Sequence, residues 1–207
     1  KFKKSPKWII GYSDITVLHN QIHNIGYESI HGMMPVNVEF PEEKRIESVN
    51  SLKQALFGNL LSYSIPSSPY NKRGKTSGIL TGGNLTLLEN LLGTPSSIDT
   101  NGKILFIEEI GEYKYHIDRL LQSLKRNGYL DHCKGIIVGG MSHIKKNNPS
   151  YGQTIENLIL EAIPQKNIPI IFDFPAGHDP ENRSLLFGRI IEMNVNVNAS
   201  EIKFLKE

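Results

Sequence analysis

Two hydrophobic periodicities alternate along the chain, and together they predict strands separated by helices. Short apolar runs predict buried strands at residues 8–11, 27–30, 78–81, 103–107, 134–140 and 170–172. Apolar residues repeated at three- and four-residue spacing predict helices at residues 14–25, 49–61, 85–93, 117–124 and 151–163. Polar and apolar residues alternate at 189–197 and 202–204, as in half-buried antiparallel strands. Because a strand, a helix and a strand in sequence form a βαβ unit, we predict an α/β protein with a parallel sheet.

The residues between 36 and 77 interrupt this pattern and predict a boundary between two domains. Residues 64–76 are rich in Ser, Pro, Asn, Gly and Lys, a composition typical of a linker or an exposed hairpin. We therefore predict a first α/β domain at residues 1–65, a linker at 66–77 and a second domain at 78–207. The sequence begins without Met one short step before the first predicted strand, so we expect earlier strands of the first domain to be missing from it.

The composition narrows the classes of function. The 207 residues are 39% hydrophobic and 21% charged with a net charge of +2, which gives no reason to expect nucleic acid or a membrane as partner. No apolar run approaches the roughly 20 residues that cross a bilayer. The single cysteine, Cys133, excludes an intrachain disulfide and fits a reducing, cytoplasmic compartment. We expect it to be a small core residue rather than a nucleophile.

The first predicted strand ends in a sharp turn that carries a candidate nucleophile. Residues 11–16 read Gly-Tyr-Ser-Asp-Ile-Thr, so that Ser13 follows a strand and precedes a helix. This is the layout of a nucleophile elbow, whose hydroxyl lies beside the free N–H groups and partial positive charge of a helix N-terminus. The usual hydrolase motif has a second glycine where Ile15 stands. For this motif by itself, a simple N-cap formed by Ser13 or Asp14 is the better explanation, because short patterns occur often by chance.

A double glycine follows the strand predicted at residues 78–81. Gly82, Gly83 and Asn84 precede a predicted helix, and their backbone N–H groups could bind an anion. A tight turn followed by a helix cap explains the same residues equally well. The pattern matches neither a P-loop nor a dinucleotide-binding motif, so we expect no nucleotide site and no cofactor.

Two further strand ends carry groups that could activate Ser13. Glu108 and Glu109 directly follow the strand at 103–107, and burying a carboxylate is costly unless it has a partner. His178 lies in a loop of turn-forming residues after the last predicted buried strand. A neutral imidazole can accept the proton of a serine hydroxyl, and a carboxylate on its far nitrogen fixes the tautomer. The order Ser, Glu, His is one of the known orders for such a triad.

The remaining histidines give no metal-binding pattern. None of them shares a close spacing with Cys or carboxylates, so we expect no metal site and assign them structural roles. They are His19, His23, His31, His116, His132 and His143.

Several short motifs occur together, in the order found in one known family. They are Gly-Tyr-Ser-Asp-Ile-Thr at 11–16, His-Gly at 31–32, Gly-Gly-Asn-Leu at 82–85, Ile-Glu-Glu-Ile-Gly-Glu at 107–112, Tyr-His-Ile-Asp-Arg-Leu at 115–120 and Gly-His at 177–178. On these motifs the chain resembles the LD-carboxypeptidase family of serine peptidases, which includes murein tetrapeptide carboxypeptidases and microcin C immunity peptidases. The resemblance covers essentially the whole chain.

The resemblance implies a serine carboxypeptidase in which Ser13 is the nucleophile, Glu108 the carboxylate and His178 the general base. It implies an oxyanion hole made in part by the backbone N–H of Asp14. The implied fold has two parts. A partial, Rossmann-like parallel-sheet domain carries the serine, and a mixed α/β, barrel-like (swivelling β/β/α) domain carries the other two groups.

The resemblance also implies a substrate and a setting. The substrate is a murein-derived tetrapeptide that is cut before a terminal D-amino acid during peptidoglycan recycling. Its free carboxylate needs a cationic or N–H-rich pocket, and Gly82, Gly83 and Asn84 are candidates for part of that pocket. Family members are often homodimers, so a homodimer is expected here.

Departures from the family pattern keep alternatives open. An upstream Arg-Gly-Gly-Tyr-Gly-like motif, whose backbone should help to build the oxyanion hole, is absent from the sequence. Met33 stands where the family usually has Pro, and Glu109 replaces a common Asp, which leaves Glu108 and Glu109 as alternatives for the triad. Two other functions also stay open: an immunity-type peptidase that cleaves a peptide–nucleotide amide, and a non-catalytic peptide-binding relative.

Overall fold

Strands and helices alternate along most of the chain. The computed structural model describes residues 2–206. Within them the β-strands are β1 (Ile10–Gly11), β2 (Ser29–His31), β3 (Ser62–Pro66), β4 (Gly74–Asn84), β5 (Ile104–Ile110), β6 (Gly135–Ser142), β7 (Ile170–Ile171), β8 (Leu185–Phe187), β9 (Ile190–Val195) and β10 (Ala199–Phe204). The α-helices are α1 (Thr16–Asn24), α2 (Glu42–Leu56), α3 (Leu85–Asn90), α4 (Lys114–Arg126) and α5 (Ile155–Ala162). Short 3-10 helices lie at Phe2–Lys4, Ser13–Ile15 and Pro35–Glu39.

These strands form two sheets. The smaller sheet has the order β1-β2-β8, with β1 parallel and β8 antiparallel to β2. The larger sheet has the order β3-β10-β9-β4-β5-β6-β7; its β4-to-β7 half is parallel and its other half antiparallel. An isolated bridge between Lys72 and Ile170 brings the segment before β4 against the far edge strand β7. The mixed α/β arrangement confirms the predicted fold class.

Strand β4 joins the two halves of the larger sheet. Residues 74–79 pair antiparallel with β9, and residues 80–84 pair parallel with β5. Burial changes at the same point, because Lys75 and Ser77 are exposed whereas residues 80–84 are buried. An antiparallel sheet can leave one face in water, whereas a parallel sheet is usually covered on both faces. The carboxyl end of β4 therefore lies in the interior, next to the same end of β5.

Two clusters of buried hydrophobic side chains hold the fold together. One contains residues of both sheets, including Ile30, Phe106 and Phe187, and so joins the sheets. The other packs α3, α4 and α5 against the parallel half of the larger sheet. Helix α4 buries the four residues whose spacing predicted it: Ile117, Leu120, Leu121 and Leu124. Because each large side chain that is fully buried stabilises the fold by roughly 1.5–3 kcal/mol, these clusters supply most of the driving force for folding.

The linker predicted at residues 66–77 requires correction. Residues 74–77 belong to β4, and residue 66 is the last residue of β3, which lies in the same sheet as β4. In β3 and the first part of β4, polar residues alternate with less polar ones because one face of the sheet is exposed. In β3, Tyr63 and Ile65 are buried while their neighbours are exposed. The division of the chain into domains stays a prediction, and β8, late in the chain, returns to pair with β2.

The helix predicted at residues 49–61 also begins and ends elsewhere. It starts at Glu42 and ends at Leu56. The acidic Glu42 and Glu43 lie in its first turn, where negative charge favours the helix dipole. Gly58 follows with a positive φ of 77°, a backbone conformation that commonly ends a helix.

Polar contacts connect the smaller sheet and its helix to the larger sheet. Arg189, between β8 and β9, donates two hydrogen bonds of 2.6 Å to the carboxylate of Glu28, just before β2. The backbone N–H of Asn84 at the end of β4 donates to Oγ1 of Thr16 in α1 at 3.0 Å. The second contact fixes the start of α1 against the carboxyl end of β4.

Candidate active site

Ser13 lies at a strained turn between β1 and α1. Its φ of 60° is in the left-handed region, which residues other than glycine rarely adopt. Such strain persists only where the surrounding structure enforces it, and it is concentrated at functional sites. A Cβ at Gly11 would lie 2.7 Å from Cγ1 of Ile15, so the turn requires a glycine at that position.

The helix-cap explanation of Ser13 and Asp14 does not match the turn. The N-caps of the 3-10 helix and of α1 are Tyr12 and Ile15, and neither residue makes a side-chain capping hydrogen bond. Ser13 is itself the first residue of the 3-10 helix, and its side chain is half-buried. Ser13 therefore lies at the N-terminal end of a helical segment, where backbone N–H groups lack partners within the helix.

His178 and Glu108 form a buried pair. Nδ1 of His178 and Oε2 of Glu108 are 2.7 Å apart, and the side chains are 12% and 0% exposed. Burial raises the pKa of the Glu108 carboxyl, and the hydrogen bond from His178 opposes this effect. A Cβ at Gly177 would lie 2.9 Å from Oε2 of Glu108, so a glycine next to the histidine allows the loop to approach the carboxylate. This is the arrangement that orients an imidazole with its second nitrogen, Nε2, free for chemistry.

The neighbouring Glu109 has a different set of partners. Its carboxylate accepts hydrogen bonds from the backbone N–H and the hydroxyl of Thr86 at 2.9 and 2.6 Å. It also accepts from Nδ2 of Asn84 at 3.1 Å and from the backbone N–H of Ile110 at 2.9 Å. Glu109 therefore secures the start of α3, and the carboxylate that meets the imidazole is Glu108.

Tyr12 connects the serine turn to the histidine. Its ring lies edge-on to the His178 ring, with the centroids 4.8 Å apart and an interplanar angle of 78°. Its hydroxyl accepts a hydrogen bond of 2.9 Å from Nδ2 of Asn37. The residue directly before Ser13 thus contacts the imidazole that is paired with Glu108. The sequence motif includes Tyr12 without indicating a role for it, and nothing in the sequence indicates Asn37.

Two glycines near the end of β4 lie close to other backbone and side-chain atoms. A Cβ at Gly82 would lie 1.9 Å from the carbonyl oxygen of Phe106, and one at Gly83 would lie 2.5 Å from Oγ1 of Thr16. Asn84 caps α3 by accepting from the backbone N–H of Leu87 at 3.2 Å. These contacts explain the Gly-Gly-Asn motif by the close packing of α1 and α3 on the sheet. That these three residues also form part of a pocket for the substrate carboxylate stays a prediction.

Two buried histidines lie beneath the turn. His19 bonds with Ser29 Oγ at 2.8 Å and with the carbonyl of Gly11 at 2.9 Å, and burial lowers its pKa to about 4. His31 is 0% exposed and packs on Phe106 at a centroid distance of 4.8 Å. Burial also holds the pKa of His31 well below its usual value. Both rings are therefore neutral at pH 7 and serve the packing of the smaller sheet.

The described residues show neither a metal cluster nor a membrane-spanning helix. In residues 2–206, no group of three or more His, Cys, Asp or Glu side chains is placed to hold a metal ion. Over the same residues, every helix is too short or too polar to cross a bilayer. Cys133 is buried and its pKa is raised to about 11 by that burial, as expected for an unreactive core thiol.

An α/β fold with a strained serine turn and a buried histidine–glutamate pair is typical of a serine hydrolase. Comparison with known protein families gives the family. Residues 1–32 match the N-terminal domain model of the LD-carboxypeptidases, and residues 77–193 match the C-terminal domain model. The chain belongs to the LD-carboxypeptidase family.

Individual relatives agree with this assignment. The chain is 36% identical over 200 residues to a probable murein peptide carboxypeptidase of Bacillus subtilis, covering 93% of this chain and 61% of that protein. It is 26% identical over 201 residues to the murein tetrapeptide carboxypeptidase of Pseudomonas aeruginosa, covering 93% of this chain and 64% of that protein. The chain thus spans less than two thirds of the length of these relatives.

Solved structures show the same fold. The crystal structure of muramoyltetrapeptide carboxypeptidase from Oxalobacter formigenes matches with a TM-score of 0.87 and 26% identity over 98% of this chain and 69% of that one. The microcin C7 self-immunity protein MccF matches with a TM-score of 0.83 and 22% identity over 100% of this chain and 69% of that one. The second likeness concerns the fold alone.

Proposed function

We propose that the protein is a serine carboxypeptidase that hydrolyses the L,D-peptide bond before a terminal D-amino acid in murein-derived tetrapeptides. The observation that carries the proposal is the 2.7 Å contact between His178 and a fully buried Glu108, with the ring of Tyr12, the residue before Ser13, edge-on to the same imidazole. The names of the relatives supply the substrate class. In this role the protein acts in peptidoglycan recycling in the cytoplasm, as a homodimer.

The chemistry follows from the three groups. Nε2 of His178 takes the proton of the Ser13 hydroxyl as its oxygen attacks the peptide carbonyl. Glu108 accepts the hydrogen bond from Nδ1 and stabilises the imidazolium that forms. The backbone N–H of Asp14 stabilises the oxyanion of the tetrahedral intermediate. His178 then protonates the leaving D-amino acid, and the same imidazole deprotonates the water that hydrolyses the acyl-enzyme. This sequence of steps uses neither a metal nor a cofactor.

A direct assay tests the proposal. The protein is incubated with a murein tetrapeptide that ends in D-alanine, and the release of free D-alanine is measured. We expect Ser13→Ala to lose release by several orders of magnitude, because only the hydroxyl can form the acyl-enzyme. Ser5→Ala, a change at an exposed serine outside the site, is the matched control. Release of D-alanine by Ser13→Ala at the unchanged rate rejects Ser13 as the nucleophile.

One relative favours a second candidate substrate. The microcin C7 self-immunity protein MccF of Escherichia coli is 26% identical over 231 residues, covering 95% of this chain and 66% of that protein. An immunity-type peptidase would use the same three groups to cleave a peptide–nucleotide amide. Comparing kcat/KM for the tetrapeptide with that for an aminoacyl sulfamoyl adenosine separates the two substrates.

A non-catalytic peptide-binding role is the remaining alternative. A fluorophosphonate probe distinguishes it, because the probe labels a serine only when a neighbouring base activates the hydroxyl. Covalent capture at Ser13 supports the enzyme. Tight peptide binding without capture supports the binding role.

A further inference from the structure

The His178 ring has two contacts that act in different directions. The hydrogen bond from Nδ1 to Glu108 lies in the plane of the ring and fixes the tautomer. The torsion that sets the ring plane is broad and roughly two-fold for histidine, so one hydrogen bond leaves the ring free to tilt. The Tyr12 ring meets it edge-on at 4.8 Å and 78° and so opposes this tilt.

Tyr12 is itself held by a side chain whose polar atoms are both used. Nδ2 of Asn37 donates to the Tyr12 hydroxyl at 2.9 Å, and Oδ1 of Asn37 accepts the backbone N–H of Met34 at 2.7 Å. Asn37 is 2% exposed and Tyr12 is 7% exposed, so water does not compete strongly for these bonds. The Tyr12 ring also contacts His31, with the centroids 6.3 Å apart.

We infer that Tyr12 is a positioning residue for His178, fixed in turn by Asn37 through the tyrosine hydroxyl. The inference rests on the proposed function, because it assigns the pair a role in aiming Nε2 at Ser13. Tyr12 is suited to that role since its backbone carries the strained turn of Ser13 while its ring contacts the imidazole. One residue therefore couples the position of the serine turn to the orientation of the imidazole.

Substitutions that separate the ring from the hydroxyl test this inference. Tyr12→Leu removes the ring, and we expect the rate of fluorophosphonate labelling of Ser13 to fall on the order of 10- to 100-fold, as for a misplaced catalytic group. Tyr12→Phe keeps the ring and removes one hydrogen bond, for which about a threefold loss is expected. With peptide substrate, the loss lies in kcat, with KM nearly unchanged. The matched controls are Tyr27→Leu and Tyr27→Phe. Tyr27 lies just before β2, and its ring contacts Phe2.

The double variant Tyr12→Phe with Asn37→Ala tests the coupling. Because both changes remove the same hydrogen bond, the pair should label no more slowly than Asn37→Ala by itself. A folded Tyr12→Leu variant that labels at the wild-type rate overturns the inference, and so do fully additive losses in the double variant. A loss of thermal stability with unchanged labelling shows a structural role and likewise overturns it.

A second readout separates this inference from the proposed function. If the wild-type protein is neither labelled nor active, the proposed function fails. The ring contact is then tested by the NMR signals of the His178 imidazole in wild type and Tyr12→Leu. Shifted and broadened ring signals in the variant, with those of His19 unchanged, support the positioning role. Identical His178 signals overturn it.

Discussion

Two histidine environments lie on either side of Tyr12, and their difference shows what makes a histidine chemically competent. His178 is paired with a carboxylate and its side chain remains 12% exposed. His31 is completely buried among aromatic rings, and its nitrogens have no hydrogen-bond partner among the described residues. His31 is the last residue of β2, and His178 lies in the loop between β7 and β8. A buried carboxylate partner and partial exposure, rather than a position near the end of a strand, distinguish the candidate general base from the core residue.

The largest expected effect is the loss of activity on substitution of Glu108, the carboxylate paired with His178. Glu108→Gln removes the negative charge that fixes the tautomer of His178 and stabilises its charged form. We expect kcat for D-alanine release to fall on the order of 10³- to 10⁴-fold. Glu109→Gln is the matched comparison, because Glu109 bonds with Thr86 and Asn84 rather than with the imidazole. It should lower the thermal midpoint and reduce kcat less than tenfold. The opposite ranking would make Glu109 the catalytic carboxylate.

The buried histidines instead predict a pH dependence of stability. Burial lowers the pKa of His19 from 6.5 to about 4. As the pH falls below about 6.5, His19 binds a proton in the unfolded chain, whereas in the folded chain it stays neutral until about pH 4. The contribution of His19 to the free energy of unfolding should therefore be constant above pH 6.5 and decrease by about 3 kcal/mol across this window. His31 acts in the same direction.

Urea unfolding at pH 7 and at pH 4.5 measures this dependence. In His19→Gln, which keeps hydrogen-bonding capacity without titrating, the decrease between the two pH values should be smaller by most of that amount. Because the comparison uses the difference between pH values, any effect of the substitution that is the same at both pH values cancels. A variant with the wild-type pH dependence would show that His19 is protonated in the folded protein.

A smaller effect is expected at His31. Its two ring nitrogens are buried, and leaving a buried polar group without a partner costs about 1–3 kcal/mol. His31→Phe replaces the ring by an apolar one among Phe106 and Phe187, so we expect the free energy of unfolding to rise by about 1 kcal/mol. Chemical denaturation at pH 7 measures the change. A decrease of more than about 3 kcal/mol, beyond what overpacking by one larger ring explains, would contradict the apolar assignment.

The sequence predicts the strands and helices that are specified by their own residues. It does not predict those that depend on contacts with residues far away in the chain. The buried runs of β5 and β6 and the apolar stripe of α4 follow from composition along a few residues. Strand β8 has no such signal, because its three apolar residues, 185–187, have no periodicity of their own and pair with β2 far away in sequence. The first residues of β4 resemble a linker because polar side chains alternate on its exposed face.

The candidate site shows the same limit. The residue types and order of Ser13, Glu108 and His178 can be recognised from motifs, and their roles stay a prediction. Which of two adjacent glutamates meets the imidazole depends on the face of β5 that each one occupies. The contact of Asn37 with Tyr12 has no sequence signature, since it requires the 3-10 helix after β2 to fold over the serine turn. Such polar contacts between distant residues are determined by how the elements pack, so local sequence patterns do not predict them.

The smallest effect is expected at His116, which, like His178, has a carboxylate partner. Nδ1 of His116 lies 2.5 Å from Oε2 of Glu112, but the side chains are 35% and 26% exposed. Water and salt screen such a pair, and exposed pairs on a helix surface contribute about 0.5 kcal/mol or less. His116→Gln should therefore change the free energy of unfolding by less than about 0.5 kcal/mol and leave kcat unchanged. Denaturation at low and high salt checks the first value, and D-alanine release checks the second. A large loss of activity would place the Glu112–His116 pair in substrate binding, and would show that burial of the carboxylate is not what separates the two kinds of histidine pair.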